Sequence, residues 1–278
     1  MLDSMTNGVR KPETHNPNYK IMEIAVISIV AFLTAILTFF SGFGLGTLLT
    51  PVFMLFFPVD IAIGLCGIVH FFNGLFKFIL VGKKANREVV LKFGIPAIIA
   101  AFIGSWVLLQ ISDLEPLFSY TLFGKQLDVF PVKFIIAILL VIFALLDLVP
   151  FLSKLEFGKD KLPLGGVLSG FFGGLSGHQG ALRSAFLIKA GLSKESFIAT
   201  GIVVSLFIDF TRLSVYASKI TSYTLYDNKY LLLSATLCAF AGAYLGNQLL
   251  KKVTLKFLQA FVAVLLLLVA VGLGMGVL

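Results

Sequence analysis

Residues 25–59 carry no charged side chain, and neither do residues 93–112, 230–250 and 257–278. These runs constrain the fold more than any other feature. About 20 apolar residues carry a helix across the hydrocarbon core of a bilayer. Hydrophobic residues make up 58% of the chain and charged residues 13%, roughly half the charged share of a soluble domain. The expected class is an all-α, polytopic integral membrane protein. A β-barrel would show short alternating segments instead. The first apolar segment follows a polar tail, residues 1–20. No small-residue cleavage site follows a short apolar core, so the segment reads as a structural span and not as a signal peptide.

The formal net charge is +8. The cations cluster in short loops between spans, as the positive-inside bias predicts, so nucleic acid is not an expected partner. Membrane lipid is, and the expected location is the cell membrane, crossed several times. Cys66 and Cys238 fall in apolar spans with no metal or redox spacing, and read as small buried hydrophobes. No metal set or cofactor motif is evident.

The chain repeats itself. At a shift of 134, Gly46 meets Gly180, Leu48 meets Leu182, and Gly67-Ile68-Val69 meets Gly201-Ile202-Val203. At 138, Ala101, Phe102 and Gly104 meet Ala239, Phe240 and Gly242; at 123, Lys133-Phe134 meets Lys256-Phe257. Changing offsets imply insertions in loops. Two homologous repeats are therefore expected, at 21–152 and 163–278, joined by a charged linker at 153–162 within one membrane domain. Each repeat has four helical elements: 22–57, 60–82, 90–111 and 131–152, then 163–191, 195–219, 229–250 and 255–278. The first element of each is interrupted by glycines. The half before the second break spans about 20 Å at helical rise, too short to cross, so a broken or re-entrant element is expected.

If those first elements do not cross, the repeats are inverted. Leaving the tail aside, the loop cations then divide twelve to four, against nine to seven for parallel repeats; adding Arg10, Lys11 and Lys20 makes the two divisions equal. The charge bias favours inversion on the first count.

A helix that starts at such a break has unpaired N–H groups and the positive end of its dipole facing the gap. That is an anion site made of backbone. Two of them at a repeat interface suit a secondary transporter. The expected substrate-binding residues are Gly44, Gly46, Thr47 and Thr50 at the first break, and Ser176, Gly177, His178, Gln179, Gly180, Arg183 and Ser184 at the second. Asn73 joins them from the second element, three residues after His70 on one face. Glycines and serines also let helices pack closely, so a packing role stays open for them. Ionisable groups at membrane depth usually mark a pathway. His178, Lys77, Asp209 and Arg212 are the gating or coupling candidates. The simplest account of Asp209 and Arg212, three apart, is a mutual ion pair, and Lys77 could snorkel to the interface.

Residues 38–55 (TFFSGFGLGTLLTPVFML), residues 169–188 (SGFFGGLSGHQGALRSAFLI) and the duplicated four-element order make the chain resemble the sulfite exporter TauE/SafE family of membrane permeases. The resemblance implies a secondary transporter of sulfur-containing anions such as sulfite or organosulfonates. The GHQGALRS form departs from the plainer glycine-rich motif and implies a different or more selective anion.

The leading reading is an anion permease working by alternating access, with proton coupling through His178, whose unperturbed pKa would lie near 6.5. An anion channel would need no coupling residue. A membrane enzyme has thin support, because Ser176 and His178 lack an orienting carboxylate nearby in sequence.

Overall fold

The protein is described by a computed structural model over residues 17–41, 45–122, 124–148, 157–249 and 255–278. In chain order the helices are α1 (Pro17–Ser41), α2 (Gly46–Met54), α3 (Val59–Val81), α4 (Arg87–Ser112), α5 (Pro131–Leu148), α6 (Leu162–Ser176), α7 (Gly180–Leu187), α8 (Lys194–Tyr216), α9 (Ser222–Asp227), α10 (Lys229–Leu249) and α11 (Leu255–Gly274). Among the described residues five of them are long and apolar enough to cross a membrane. The protein is a multi-pass membrane protein.

The described residues are mostly helical, as expected, with one addition to the all-α expectation: β1 (Phe118–Leu122) and β2 (Lys125–Val129) pair antiparallel between α4 and α5. Leu122 pairs with Lys125, and Gly124 turns the chain at φ +74°, where a side chain is strained. Tyr120 donates its hydroxyl proton to the Met275 carbonyl at 2.7 Å, tying the hairpin to the end of α11.

The first interrupted element departs from its expected length. α1 has 25 residues and begins inside the expected tail, so at ~1.5 Å per residue it is about 37 Å long and can cross alone. α6 has 15 residues, about 22 Å, and cannot. α2 and α7, which follow the breaks, have nine and eight residues.

Local chemistry sets the other ends. Asn86 caps α4 by accepting from the Val89 N–H at 3.0 Å, and Ser193 caps α8 by accepting from the Ser196 N–H at 3.2 Å. Each satisfies an amide that the first turn leaves orphaned.

Two helix pairs run parallel at very close range. Gly166, Gly170 and Gly174 of α6 lie over the carbonyls of Phe93, Ala97 and Ala101 on α4. Gly242 and Gly246 of α10 lie over the carbonyls of Phe32 and Ile36 on α1. A methyl at any of these positions would press on backbone. Small residues at four-residue spacing thus bring two backbones together. Gly104 of α4 lies over the Phe171 carbonyl, as its sequence counterpart Gly242 lies over that of Phe32.

Two other pairs run antiparallel. Along α3, Gly64, Gly67 and Gly74 face Ile220, Leu213 and Leu206 in turn, and the Asn86 N–H beyond it donates to Thr200 Oγ1 at 2.9 Å. α5 meets α11 with Ala137 against Gly274, and Gly276 beyond α11 lies against Asp128, which precedes α5. The apolar core lies where α1, α2, α3, α5, α10 and α11 converge, and a smaller cluster joins α4, α6, α7 and α8.

Candidate functional site

The two interrupted elements meet. A Cβ on Gly46, the first residue of α2, would stand 3.2 Å from the Gly177 carbonyl oxygen. Gly177 ends α6 at φ +78° and donates its N–H to the Gly173 carbonyl at 3.0 Å. That left-handed turn lets His178 and Gln179 lead directly into α7 at Gly180. Gly44 lies outside the described residues.

The second break is held by its own side chains. Ser176 Oγ donates to the Phe172 carbonyl at 2.9 Å. His178 Nδ1 donates to the Ser176 carbonyl at 2.9 Å, and its ring stacks on Phe143 with centroids 5.8 Å apart. Gln179 Nε2 donates to Ser205 Oγ at 3.1 Å and reaches Asp209 Oδ1 at 3.4 Å. Ser169 Oγ donates to the Gln179 carbonyl at 3.2 Å. Behind the first break, Thr50 donates to Cys66 Sγ at 3.2 Å, and Thr47 is buried beside it.

Asp209 is the centre of the charge network. Arg212 Nε donates to its Oδ1 at 3.0 Å, with Nη2 2.9 Å from the same oxygen. His70 Nδ1 donates to Oδ2 at 2.5 Å. The expected Asp209–Arg212 pair therefore forms, and His70 joins it from α3. Both members of the pair are fully buried. A buried ion pair of this kind offsets its desolvation only when hydrogen bonds complete it, and here His70 and Gln179 do so for the carboxylate.

Beside this network lies a cavity of about 50 Å³. A single water needs roughly 10–15 Å³ by the same kind of measure, so it holds a small oxyanion or a few waters. Its wall comes from the end of α1 and Leu45, from His70, Asn73, Gly74 and Lys77 on α3, from Arg183, Ser184 and Leu187 on α7, and from Phe197, Gly201 and Ser205 on α8. Among the described residues two cations, Lys77 and Arg183, and no carboxylate line it. The two are near enough to repel each other, a repulsion that a bound anion relieves. With the network behind the wall included, three buried cations face one buried acid among the described residues of this region. The region is therefore positive even when both histidines are neutral.

The expected residues thus divide. Asn73, Lys77, Arg183 and Ser184 line the cavity. Lys77 is buried with its ammonium 5.5 Å from the centre of the Phe39 ring, so it does not snorkel to the interface. Gly46, Thr47, Thr50, Ser176, Gly177, His178, Gln179 and Gly180 form the hub beside it. His178, the expected coupling residue, is not in the cavity wall; its ring is taken up by Phe143 and the Ser176 carbonyl. Asn73 Oδ1, Gln179 Oε1 and His178 Nε2 have no hydrogen-bond partner among the described residues.

Thr38, Ser205 and Gly201 do not stand out in the sequence as site residues, yet they line the cavity. Ser205 precedes Asp209 by four residues and so shares its face, and Gly201 is the counterpart of Gly67; both signals could have found them. The family model described as sulfite exporter TauE/SafE matches residues 27–273. The chain belongs to this family. No curated protein and no solved structure gives a significant match. Membership in the TauE/SafE family makes an anion the ligand class against which the cavity's two cations are to be read.

Proposed function

We propose that this TauE/SafE protein is a secondary transporter in the cell membrane that moves small anions, sulfite or a short organosulfonate, by alternating access. The observation that carries the reading is the cavity in which Lys77 and Arg183 converge, with no acid in the wall among the described residues. Asn73 and Ser184 supply neutral polar groups there, and the first turn of α7 adds the positive end of a helix dipole. A site of this kind desolvates an anion only by offering it charge and hydrogen bonds together.

We also propose two inverted repeats, 21–152 and 163–278, joined at 153–162. Exchange of each element for its counterpart turns the parallel α1/α10 contact into the parallel α4/α6 contact. It returns α3/α8 and α5/α11 to themselves. Counterparts that run antiparallel support an axis lying in the membrane plane, as inverted transporter repeats have. The breaks meeting at Gly46 and Gly177 lie on that interface.

Proton coupling, in this reading, belongs to His70 before His178. His70 touches both the cavity and Asp209, whereas His178 touches neither. A channel would share the cavity but not the need for His70.

The test is sulfite efflux from proteoliposomes holding the purified protein. Arg183→Gln is expected to lower flux at least ~100-fold, the order that follows when one charge-assisted hydrogen bond is removed from a dry site. Flux at the wild-type rate in a folded Arg183→Gln variant removes the cavity from the pathway. Saturable flux separates a carrier from a channel.

A further inference from the structure

Arg212 has a feature that its pairing with Asp209 does not explain. Its guanidinium is fully buried, yet Nη1 has no hydrogen-bond partner among the described residues. A charged donor left unsatisfied in a dry interior is costly. Two glycines border the group. A Cβ on Gly177 would stand 2.8 Å from Nη1, and one on Gly67 would stand 3.4 Å from Cζ. The Thr50 hydroxyl lies 3.5 Å from the same Gly177 position. The start of α2 is adjacent, and Leu45 gives it no side-chain cap.

The sequence repeat supplies a parallel. Gly67 and Gly201 correspond at the shift of 134. Gly201 lies against Arg183, where a Cβ would stand 3.3 Å from Nε, and Gly67 lies against Arg212. Each repeat therefore offers a glycine bed beneath one arginine. Because α3 and α8 run antiparallel, the two beds face opposite ends of that helix pair. The Arg183 bed opens into the cavity; the Arg212 bed is closed. Asp209, His70 and Gln179 lie between them.

We infer that Arg212 forms a second anion-binding position, occluded here, that receives the oxyanion after it leaves the Lys77–Arg183 cavity. The inference rests on the transporter reading above. In this conformation Asp209 Oδ1 occupies the guanidinium. An arriving oxyanion takes that place on Nε and Nη2, and a second of its oxygens accepts from Nη1 and from the Thr50 hydroxyl, which turns from Cys66 Sγ. The displaced carboxylate stays satisfied by His70 Nδ1 on one oxygen and Gln179 Nε2 on the other. No covalent bond is made or broken; the oxyanion adds negative charge to a region in which three buried cations, Lys77, Arg183 and Arg212, otherwise face one buried acid.

The test uses the full chain, purified and reconstituted, with sulfite as the probe. The double variant Asp209→Asn/Arg212→Gln removes both charges, so neither is left buried alone. Sulfite binding by calorimetry is expected to stay within ~3-fold of wild type, because the open cavity is intact, while efflux falls at least ~10-fold. Arg183→Gln is expected to lose both. Gly67→Ala, which crowds the guanidinium from the other side, is a second variant expected to slow efflux and spare binding. A selenite soak of crystals is expected to give an anomalous peak within hydrogen-bond reach of Arg212 Nη1, which a purely structural arginine would not produce. Efflux at the wild-type rate in the folded double variant and in Gly67→Ala, or crystals with selenite only in the open cavity, overturns the Arg212 position alone. Wild-type protein that neither binds nor moves sulfite overturns the transporter reading instead.

Discussion

The α4/α6 and α3/α8 seams are both rich in glycine, and they use it differently. On α6, Gly166, Gly170 and Gly174 bring one backbone against another. These glycines meet backbone and small side chains, and the cohesion there is close dispersion contact with weak Cα–H···O contacts between helices. On α3, Gly64, Gly67 and Gly74 face side chains: Ile220, the Arg212 guanidinium with Leu213, and Leu206. There the missing Cβ makes room for groups that can turn. The first seam suits a framework, the second a contact that rearranges. Of the buried charged and titratable groups, Asp209, Arg212, His70 and Lys77 lie on the second.

The largest effect should come from unbalancing the charged seam. Asp209→Ala leaves Arg212 buried without its counter-ion, a loss of about 3–5 kcal/mol. Removing Arg212 as well should restore part of it, because the pair then vanishes together. Thermal unfolding in detergent, measured for both single variants and the double, gives the coupling. Additive losses would mean that the pair does not act as a unit.

The framework seam should rank next. Gly170→Ala places a methyl against the Ala97 carbonyl and Cα. Backbone cannot rotate away as a side chain does, so overpacking should cost about 1–3 kcal/mol. A melting temperature equal to wild type would mean that the helices are free to separate, and the contrast between the seams would lose its basis.

Much of this arrangement was legible in the sequence. The spans follow from charge-free runs, and the breaks from glycines that no continuous span needs. Asn73, Lys77, Arg183 and Ser184 stood out because polar groups at membrane depth are expensive, and they line the cavity. The hairpin was not legible: its strands have five residues each, and the alternation in FSYTL is too brief to outweigh the apolar runs around it. The extra length of α1 was hidden because polar residues 17–20 look like tail, although a helix can begin in water before entering lipid. The bond between His70 and Asp209 joins residues 139 apart through the antiparallel meeting of α3 and α8, which no local pattern encodes. His178 reads as a pathway residue from its setting, yet Phe143, which occupies its ring, lies in a different element.

The smallest effect on stability, and the sharpest comparison, is expected at Gly74. Its Cβ would meet Leu206 Cδ2 at 2.9 Å, a contact with the far end of a flexible side chain. Leu206 can adopt another rotamer, so Gly74→Ala should cost less than about 1 kcal/mol, and the gain in helix propensity works the other way. The position also lines the cavity, beside Asn73 and on the face that carries Lys77. The methyl therefore narrows the site without touching its charge. Sulfite KM should rise while the maximal rate changes little, since the loss is of ground-state fit. A melting temperature lowered as far as that of Gly170→Ala would show that α3/α8 is packed as rigidly as α4/α6. An unchanged KM would place the anion away from Gly74, toward Arg183 and the first turn of α7.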